Sequence, residues 1–529
     1  MSHKYKEPCV HYEHLKKFFE RGYGPAIISG LLLVFSFPTF DIFPLAWIAF
    51  VPLLIFLYDK DHWTAFKTGF YFGLVYFFGT LYWIYHSIHY YGAVPLAASF
   101  LLVLVLCMYF SLYPAFFAFL YAANMKRSDM PALVVAPLLW TTLEFLRSYV
   151  LGGFPWSSLG YSQYAFLPVI QIADITGVYG VSFLIVAVNA AFVDVLIFKR
   201  RYIARPLASF LPTATGFIAL ALFMIFTLSY GAYRLHQHRS GSVIKAAVIQ
   251  GNIEQDKKWD PSYQQAVIGG YRDLSFAAAR ERPDLIVWPE TSVPFFFRTD
   301  KELTSYMVSF EQQLNSYLLF GSVMEKDRRE SPHSYSARYT NSAVLLDKNG
   351  TITYIYDKIH LVPFGEFLPL RRFLSFLDLT GAIGDFVAGE SYTKAVTPFG
   401  SFGTLICYEI IFPGLVRKFY TNGGDFIVTI TNDAWFGKTP GPYQHFSMAV
   451  FRAIENRKPV IRSANTGISG FVDSCGRILA KTALFTRTYL VYNVKTDRTL
   501  SPYTKYGDIF SYLSIIGTLL LLIRKRNRF

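Results

Sequence analysis

Three side chains with catalytic potential lie at or near the ends of apolar, strand-like segments. Glu290 follows DLIVWP, Lys358 lies in YDKIH, and Cys407 ends GTLIC. A cysteine is a nucleophile only as its thiolate, and a pKa of about 8.5 leaves a few per cent of that anion at neutral pH. An ammonium about 4 Å away favours the thiolate by up to roughly 4 kcal/mol, and a carboxylate can accept the thiol proton. Together these residue types indicate nucleophilic attack at an acyl carbon, with Lys358 and the amide after the cysteine holding the oxyanion.

Each of the three residues also has a structural interpretation. A free cysteine often packs as a small hydrophobic side chain. Glu290 is placed to cap a following helix, and Lys358 to protect the edge of a sheet. No single residue decides between these interpretations, but the three together favour catalysis.

The segment that carries these residues alternates strand-like and helix-like stretches. Strand patterns include VIKAAVIQGNI, DLIVWPET, YLLFGSVME, SFGTLICYEI and DFIVTITND, and Asn349-Gly350 is a strong hairpin signal. Helix candidates lie between them. Near-continuous Val, Ile and Leu strands are typical of sheets covered on both faces. We therefore predict an α/β domain with helices outside paired sheets.

The rest of the chain is strongly apolar and dominates the overall composition. Of the 529 residues of the whole chain, 53% are hydrophobic and only 16% are charged, against about 25% charged in soluble domains. Eight apolar runs are near the roughly 20 residues needed to span a bilayer, the second and last being the shortest. They cover residues 23–40, 42–58, 63–85, 93–123, 131–151, 177–198, 206–230 and 508–523. We predict a multi-span α-helical membrane domain of eight spans.

Basic residues in the short connections predict the orientation of these spans. One side collects nearly all of them: Lys4, Lys6, Lys16, Lys17, Arg21, Lys60, Lys126, Arg127, Lys199, Arg200, Arg201, Arg205, Arg524, Lys525, Arg526 and Arg528. The opposite short loops offer only Arg147. Both termini are thus predicted to be cytoplasmic, with residues 233–506 outside. The net charge of +14 is largely this asymmetry, so no nucleic-acid partner is needed to explain it.

The motifs around the three residues resemble a known family. Glu290 in WPET, Lys358 in YDKIHLVPFGE and Cys407 in ICYE resemble the Glu-Lys-Cys triad of the nitrilase superfamily, and TNDAWFG and NTGISG extend the match. A nitrilase-like domain between seven spans and an eighth is similar to the apolipoprotein N-acyltransferase family, as are WTTLEFLR and GGFPW. The resemblance implies an α-β-β-α sandwich. It also implies supporting or substrate-binding roles for Glu366, Tyr408, Glu409 and Trp259.

This resemblance implies a function and a location. It implies a bacterial inner-membrane enzyme that moves an acyl chain from a phospholipid, typically phosphatidylethanolamine, to the cysteine as a thioester. The chain then passes to the α-amino group of a diacylglyceryl-cysteine at the N-terminus of an apolipoprotein. The implied domains are 1–232 (spans one to seven), 233–506 (periplasmic and catalytic) and 507–529 (eighth span and tail). We expect a monomer with no cofactor and no metal site.

Other polar residues have open roles. Glu144 and Arg147 share one face of the fifth span, where they either line the path of the lipid or pin two helices together. His445, Arg452 and Glu455 are expected to make structural hydrogen bonds. A lid is predicted in the loops of residues 361–400, with Gly365, Gly381, Gly384 and Gly389. A disulfide between Cys407 and Cys475 is conceivable but not expected.

Two other function classes remain open from the residues alone. The first is a membrane-anchored amidase of the nitrilase type, which would use the same triad with water to hydrolyse small C–N bonds. The second is a transporter or scaffold with an inert outer domain, although charges within the spans are sparse.

Overall fold

The computed structural model describes residues 18–128, 130–204, 206–237, 241–331, 334–367 and 386–523. The part from Val243 to Tyr506 contains two six-stranded sheets with the same arrangement. In each, two parallel pairs at the centre are extended by antiparallel strands at both edges. The order is β12-β1-β2-β3-β4-β5 in the first sheet and β11-β10-β9-β8-β7-β6 in the second.

The strands follow the predicted apolar segments. Those of the first sheet are β1 (Val243–Gln250), β2 (Leu285–Val287), β3 (Tyr317–Ser331), β4 (Ser334–Leu346), β5 (Ile352–Asp357) and β12 (Thr488–Lys495). Those of the second are β6 (Ala395–Thr397), β7 (Gly400–Ile406), β8 (Phe426–Thr431), β9 (Val460–Ala464), β10 (Gly470–Val472) and β11 (Ile478–Lys481).

Alternation along the central strands divides the apolar core into two layers. Ala246 and Val248 of β1 join the core that faces the second sheet, whereas Ala247 and Ile249 pack under outer helices. This period of two is what a strand buried on both faces requires. The helices of this part are Gln264–Ala279, Lys301–Leu314, Pro413–Tyr420, Gly441–Asn456 and Pro502–Tyr506. The predicted layered sandwich with outer helices is the observed architecture.

The other described residues form the membrane part, whose helices lie between Tyr23 and His236 and at Ile509–Ile523. Its longer helices are Tyr23–Ser36, Val51–Leu57, His62–Leu81, Leu96–Arg127, Ala132–Arg147, Val178–Ala204, Pro206–His236 and Ile509–Ile523. Within the described residues, three helical stretches are long and apolar enough to cross a membrane: Leu96–Arg127, Val178–Ile197 and Leu211–His236. Each predicted run contains helix, but the count of eight spans stays a prediction.

The second predicted run differs most from a simple span. It forms a 3₁₀ turn, Phe43–Trp47, followed by the short helix Val51–Leu57. Each piece has a proline in its first turn, at Pro44 and Pro52, where the missing N–H is tolerated and a continuous helix is not. Two short helices, Leu167–Ile170 and Ala173–Thr176, also lie between the fifth and sixth runs.

One helix joins the two parts. In Gly441–Asn456 every residue except Tyr443 is buried, because one face packs on the second sheet and another on the membrane part. Tyr161 of the membrane part stacks edge-on against Phe451, with ring centroids 5.1 Å apart. The core is therefore continuous from the sheets into the helices of the membrane part.

Candidate active site

Cys407 lies at the carboxyl end of β7, where the chain turns sharply. It begins the 3₁₀ turn Cys407–Ile411 and has φ of 51°, a left-handed conformation that costs free energy in a residue with a side chain. β7 runs parallel to β8, so the ends of both strands meet at one edge of the sheet. Such a turn presents the sulfur away from the strand, and the side chain is 7% exposed.

Glu290 and Lys358 come together in the first sheet. Lys358 directly follows β5, and its Nζ lies 3.5 Å from Oε1 of Glu290 and 2.9 Å from Oε1 of Glu366. Asn341 bridges the two carboxylates, because its Nδ2 donates to both Oε1 atoms at 2.8 Å. The second oxygen of Glu290 accepts the backbone N–H of Asn432 at 2.9 Å. The carboxylate is thus fixed by groups from both sheets.

The charges in this cluster act on one another and on the cysteine. Burial lowers the pKa of Lys358, but Glu366 and Glu290 raise it more, so the amine stays an ammonium. Burial raises the pKa of the Cys407 thiol, Glu290 raises it further, and the opposing effect of Lys358 is smaller. The resting sulfur is therefore a protonated thiol. This differs from the expectation that Lys358 makes it anionic, because burial costs more than the ammonium returns.

Glu409 connects the turn at the cysteine to the lysine segment. It accepts hydrogen bonds from Tyr356 Oη, from the backbone N–H groups of Ile359 and His360, and from the N–H of Ile406. Burial raises its pKa to about 7. The carboxyl group thereby holds the segments on either side of Lys358 and Cys407 at a fixed separation.

The two remaining predicted residues lie at the margin of the cluster. Tyr408 packs against Phe412 and lies 6.4 Å from the ring of Phe154, which belongs to the membrane part. Trp259 is 39% exposed, and its ring centroid is 6.0 Å from that of Phe296. An exposed tryptophan beside an exposed phenylalanine is suited to apolar substrate groups.

Comparisons with known proteins agree with this architecture. Residues 29–191 match the family profile described as apolipoprotein N-acyltransferase N-terminal domain, and residues 245–501 match that of carbon-nitrogen hydrolases. An apolipoprotein N-acyltransferase from Geobacter metallireducens is 43% identical over 500 residues, 94% of each chain. One from Haemophilus influenzae is 34% identical over 523 residues, 96% of this chain and 95% of that one. The chain belongs to the apolipoprotein N-acyltransferase family.

One of the solved structures to which this chain is similar is a carbon-nitrogen hydrolase from Helicobacter pylori. It is 17% identical, and the match covers 54% of this chain and 100% of that chain with a TM-score of 0.38. The hydrolase profile covers only the part with the two sheets. The profile specific to apolipoprotein N-acyltransferases covers the membrane part. What this family adds to the nitrilase-like fold is therefore the helical half of the chain.

The contacts of Glu144 and Arg147 show what these buried charges do in this family member. Arg147 Nη1 donates to the carbonyl oxygens of Phe154 and Trp156, at 2.9 and 2.6 Å. Glu144 Oε1 accepts the N–H of Leu159 at 2.7 Å. Both side chains therefore hold the backbone of the loop that contains GGFPW. Arg147 also lies over the ring of Phe77 in the helix His62–Leu81, with 5.2 Å between the guanidinium carbon and the ring centroid.

That loop is linked to Cys407 through two residues of the joining helix. The indole of Trp156 stacks on His445, with ring centroids 5.5 Å apart, and donates to Gln444 at 2.7 Å. His445 Nε2 lies 3.2 Å from the carbonyl oxygen of Cys407, and its Nδ1 lies 3.0 Å from Asp433. The expectation that His445 makes structural hydrogen bonds fits these contacts.

Arg452 and Glu455 form a second link between the parts. Arg452 donates to Tyr161 Oη at 2.8 Å and pairs with Glu455, which in turn accepts the N–H of Val178. All these groups are buried, so their polar atoms would be costly without partners.

Several residues of the site escaped the sequence reasoning. Asn341 and Asn432 hold Glu290, but they come from β4 and from the end of β8, far from it in sequence. The signal for Asn432 was its position directly after a buried strand in TNDAWFG. Lys258 stands directly before Trp259 in DKKWD, and this position beside a predicted site residue is its signal in the sequence.

Other expectations concern the cysteines, metals and the lid. Cys107, Cys407 and Cys475 are free thiols, and Cys475 contacts Arg234 and Arg457. Within the described residues no group of three or more His, Cys, Asp or Glu side chains is arranged to hold a metal ion. Gly381 and Gly384 of the predicted lid, Cys9 and the basic residues at both termini, except Arg21, lie outside the described residues.

Proposed function

We propose that the protein transfers an acyl chain from a phospholipid, through a thioester on Cys407, to the α-amino group of the diacylglyceryl-cysteine of apolipoproteins. The observation that carries this proposal is the cluster of Glu290 and Lys358 beside Cys407, whose turn Glu409 ties to the segment after Lys358, in a chain of this family. Named relatives over nearly the full length support lipoprotein and phospholipid substrates.

In the first step Glu290 acts as general base. It accepts the proton of the Cys407 thiol while the sulfur attacks the ester carbonyl carbon, and the carbonyl electron pair moves to oxygen. The Lys358 ammonium and the backbone N–H of Tyr408 hold this oxyanion. When the intermediate collapses, the C–O bond to glycerol breaks. Glu290 then returns the proton to the leaving oxygen, which gives a lysophospholipid and the thioester.

In the second step the neutral amine of the apolipoprotein attacks the thioester carbon. Glu290 accepts one proton from nitrogen, the C–S bond breaks, and the sulfur takes that proton. The products are an amide and the free thiol, so the enzyme returns to its starting state in a ping-pong cycle. The protonated resting thiol fits this scheme, because each step needs one proton transfer through the same carboxylate.

The arrangement in the membrane forms part of the proposal. Eight spans place both termini in the cytoplasm and residues 233–506 in the periplasm, with 1–232 and 507–529 embedded in or beside the inner membrane. Phosphatidylethanolamine is the expected donor, and the enzyme is expected to act as a monomer. Because both substrates keep their chains in the bilayer, a site joined to the spans can receive the ester and the amine without extracting either lipid.

The test uses the purified full-length protein with phosphatidylethanolamine and a diacylated lipopeptide. Intact-mass spectrometry should show one acyl adduct on Cys407, removable by hydroxylamine, and then an N-acylated peptide when the peptide is added. Cys407→Ser is the matched control, because it keeps the volume but cannot form a thioester. Absence of the adduct on the wild-type protein would refute the proposal.

The alternative of a membrane-anchored amidase has the support of the fold alone. It predicts ammonia release from small amides and no N-acylated peptide. The same preparations decide between the two functions, since only the acyltransferase needs an amine acceptor rather than water.

A further inference from the structure

Two neighbouring lysines in DKKWD have opposite environments. Lys257 is 44% exposed and pairs with Glu254 at the surface. Lys258 is fully buried, and its Nζ donates to the backbone oxygen of Glu290 at 2.9 Å and to Thr291 Oγ1 at 2.6 Å. Both acceptors are neutral. A buried ammonium is costly without an anionic partner, so its retention beside the general base needs an explanation.

The turn that Lys258 holds is strained and tightly packed. Thr291 has φ of 43°, and a Cβ added at Gly321 would collide with Thr291 N and Glu290 Cα. The turn therefore packs closely against β3 on one side and accepts hydrogen bonds from Lys258 on the other. A second contact of the same loop points to the same carboxylate, because Gln255 accepts from Asn432, whose N–H binds Glu290.

The charge balance of the Glu290 cluster gives the Lys258 ammonium a second role. The cluster contains two carboxylates, Glu290 and Glu366, which share the single ammonium of Lys358. When the thiol proton moves to Glu290, one negative charge passes to the oxyanion while Glu366 still pairs with Lys358. A second cation near Glu290 keeps the total charge at zero before and during the step. Lys258 is placed to be that cation.

We propose that Lys258 is a positioning residue of the acyl-transfer site, whose ammonium holds the turn of Glu290 and balances the negative charge that develops when Cys407 attacks. The inference rests on the proposed function and adds a second lysine to its site. It also connects Trp259 to the general base, since adjacent residues of one loop meet the substrate side and the Glu290 turn.

The titration of this amine makes the proposal measurable. Burial lowers the pKa of Lys258 to about 8, while Glu290 and Cys407 oppose that effect. The balancing charge is thus lost as the pH rises through about 8. An alkaline fall in the rate of attack at Cys407 should follow in the wild-type enzyme.

The experiment compares Lys258→Met with two controls in the full-length protein. Lys257→Met removes an exposed lysine from the same loop. Lys458→Met removes another buried lysine, which donates to the carbonyl oxygens of Asp497 and Thr499 and whose pKa burial also lowers to about 8. Alkylation of Cys407 by iodoacetamide and acyl-adduct formation on phosphatidylethanolamine vesicles are measured between about pH 6 and pH 9.

Lys258→Met should slow both reactions by about tenfold or more at neutral pH, the equivalent of one pKa unit at the thiol. It should also remove the alkaline fall, which Lys257→Met and Lys458→Met retain. Lys258→Arg, which keeps the charge, should recover part of the rate.

A purely structural role makes a different prediction. Lys258→Met would then lower thermal stability as Lys458→Met does, and its rates would keep the alkaline fall; that result would overturn the proposal. If no acyl adduct forms even on the wild type, the proposed function fails. Alkylation still tests Lys258 in that case, because iodoacetamide reports on the thiol without a lipid substrate.

Discussion

Removal of the Lys358 ammonium tests the reasoning about the site most directly. In Lys358→Met the carboxylates of Glu290 and Glu366 keep their shared donor but lose their shared cation. Each Oε1 lies 2.8 Å from the same Nδ2 of Asn341, so the two oxygens are at most about 5.6 Å apart. Two like charges at this separation repel by about 3 kcal/mol at an effective dielectric constant of about 20.

That repulsion has a defined consequence for proton binding. About 3 kcal/mol is a factor of about 10² against the state in which both carboxyl groups are ionised. That state is the one in which Glu290 can accept the thiol proton. Loss of a donor to the oxyanion should independently slow the step by about 10²–10³-fold. Residual thioester formation in Lys358→Met should therefore be slow and should rise more steeply with pH than in the wild type.

The assay is single-turnover formation of the acyl adduct on Cys407, followed by intact mass at several pH values. A second variant, Lys358→Met with Glu366→Gln, removes the repulsion but not the loss of the oxyanion donor. Its rate should lose the steeper rise with pH while staying low at every pH. A wild-type rate in the single variant, or the same rise with pH in both variants, would refute the account of shared charge.

Three further outcomes follow from other contacts. Burial raises the pKa of Asp433, but Arg462 and His445 lower it to about 2. This depressed pKa stabilises the fold by about 2–3 kcal/mol above pH 4, and that contribution is lost as the pH falls through about 2. Asp433→Asn should abolish this acid dependence of thermal unfolding. Glu409→Gln should cost about 1–3 kcal/mol in thermal unfolding, because the buried N–H of Ile406 loses its carboxylate acceptor; unchanged stability would contradict this. Trp156→Phe keeps a ring but loses the indole hydrogen bond, so its free energy of unfolding should fall by about 1 kcal/mol. Its rate of thioester formation should stay within about threefold of wild type, whereas Trp156→Ala should lose about tenfold in that rate. Equal rates in the two variants would argue against a role for the stacking contact.

Strand ends were the part of the site that sequence patterns located best. Glu290, Lys358 and Cys407 each come at or just after the end of a strand, namely β2, β5 and β7. The period of two in segments such as β1 is also visible without coordinates. Parallel central strands bring such ends to one edge of a sheet, which is a rule of topology rather than of local sequence.

What the patterns did not provide was the environment of those residues. The pKa of Cys407 depends on how much water the finished fold removes, and no local motif reports that quantity. Asn341 holds two carboxylates because β4 pairs with β5 in one register, so its role depends on long-range pairing. The division of the second apolar run by Pro44 and Pro52 was readable locally, since both prolines stand in the sequence.

The stacking of Trp156 on His445 also bears on how this enzyme can be rebuilt. A hybrid protein that joins the membrane part of this chain to the sheet-containing part of a relative would keep Trp156 from this chain and take the residue at the position of His445 from the relative. Residues 153–161 and 433–456 therefore form a matched set across the junction, and a hybrid should regain activity only when both segments come from the same parent.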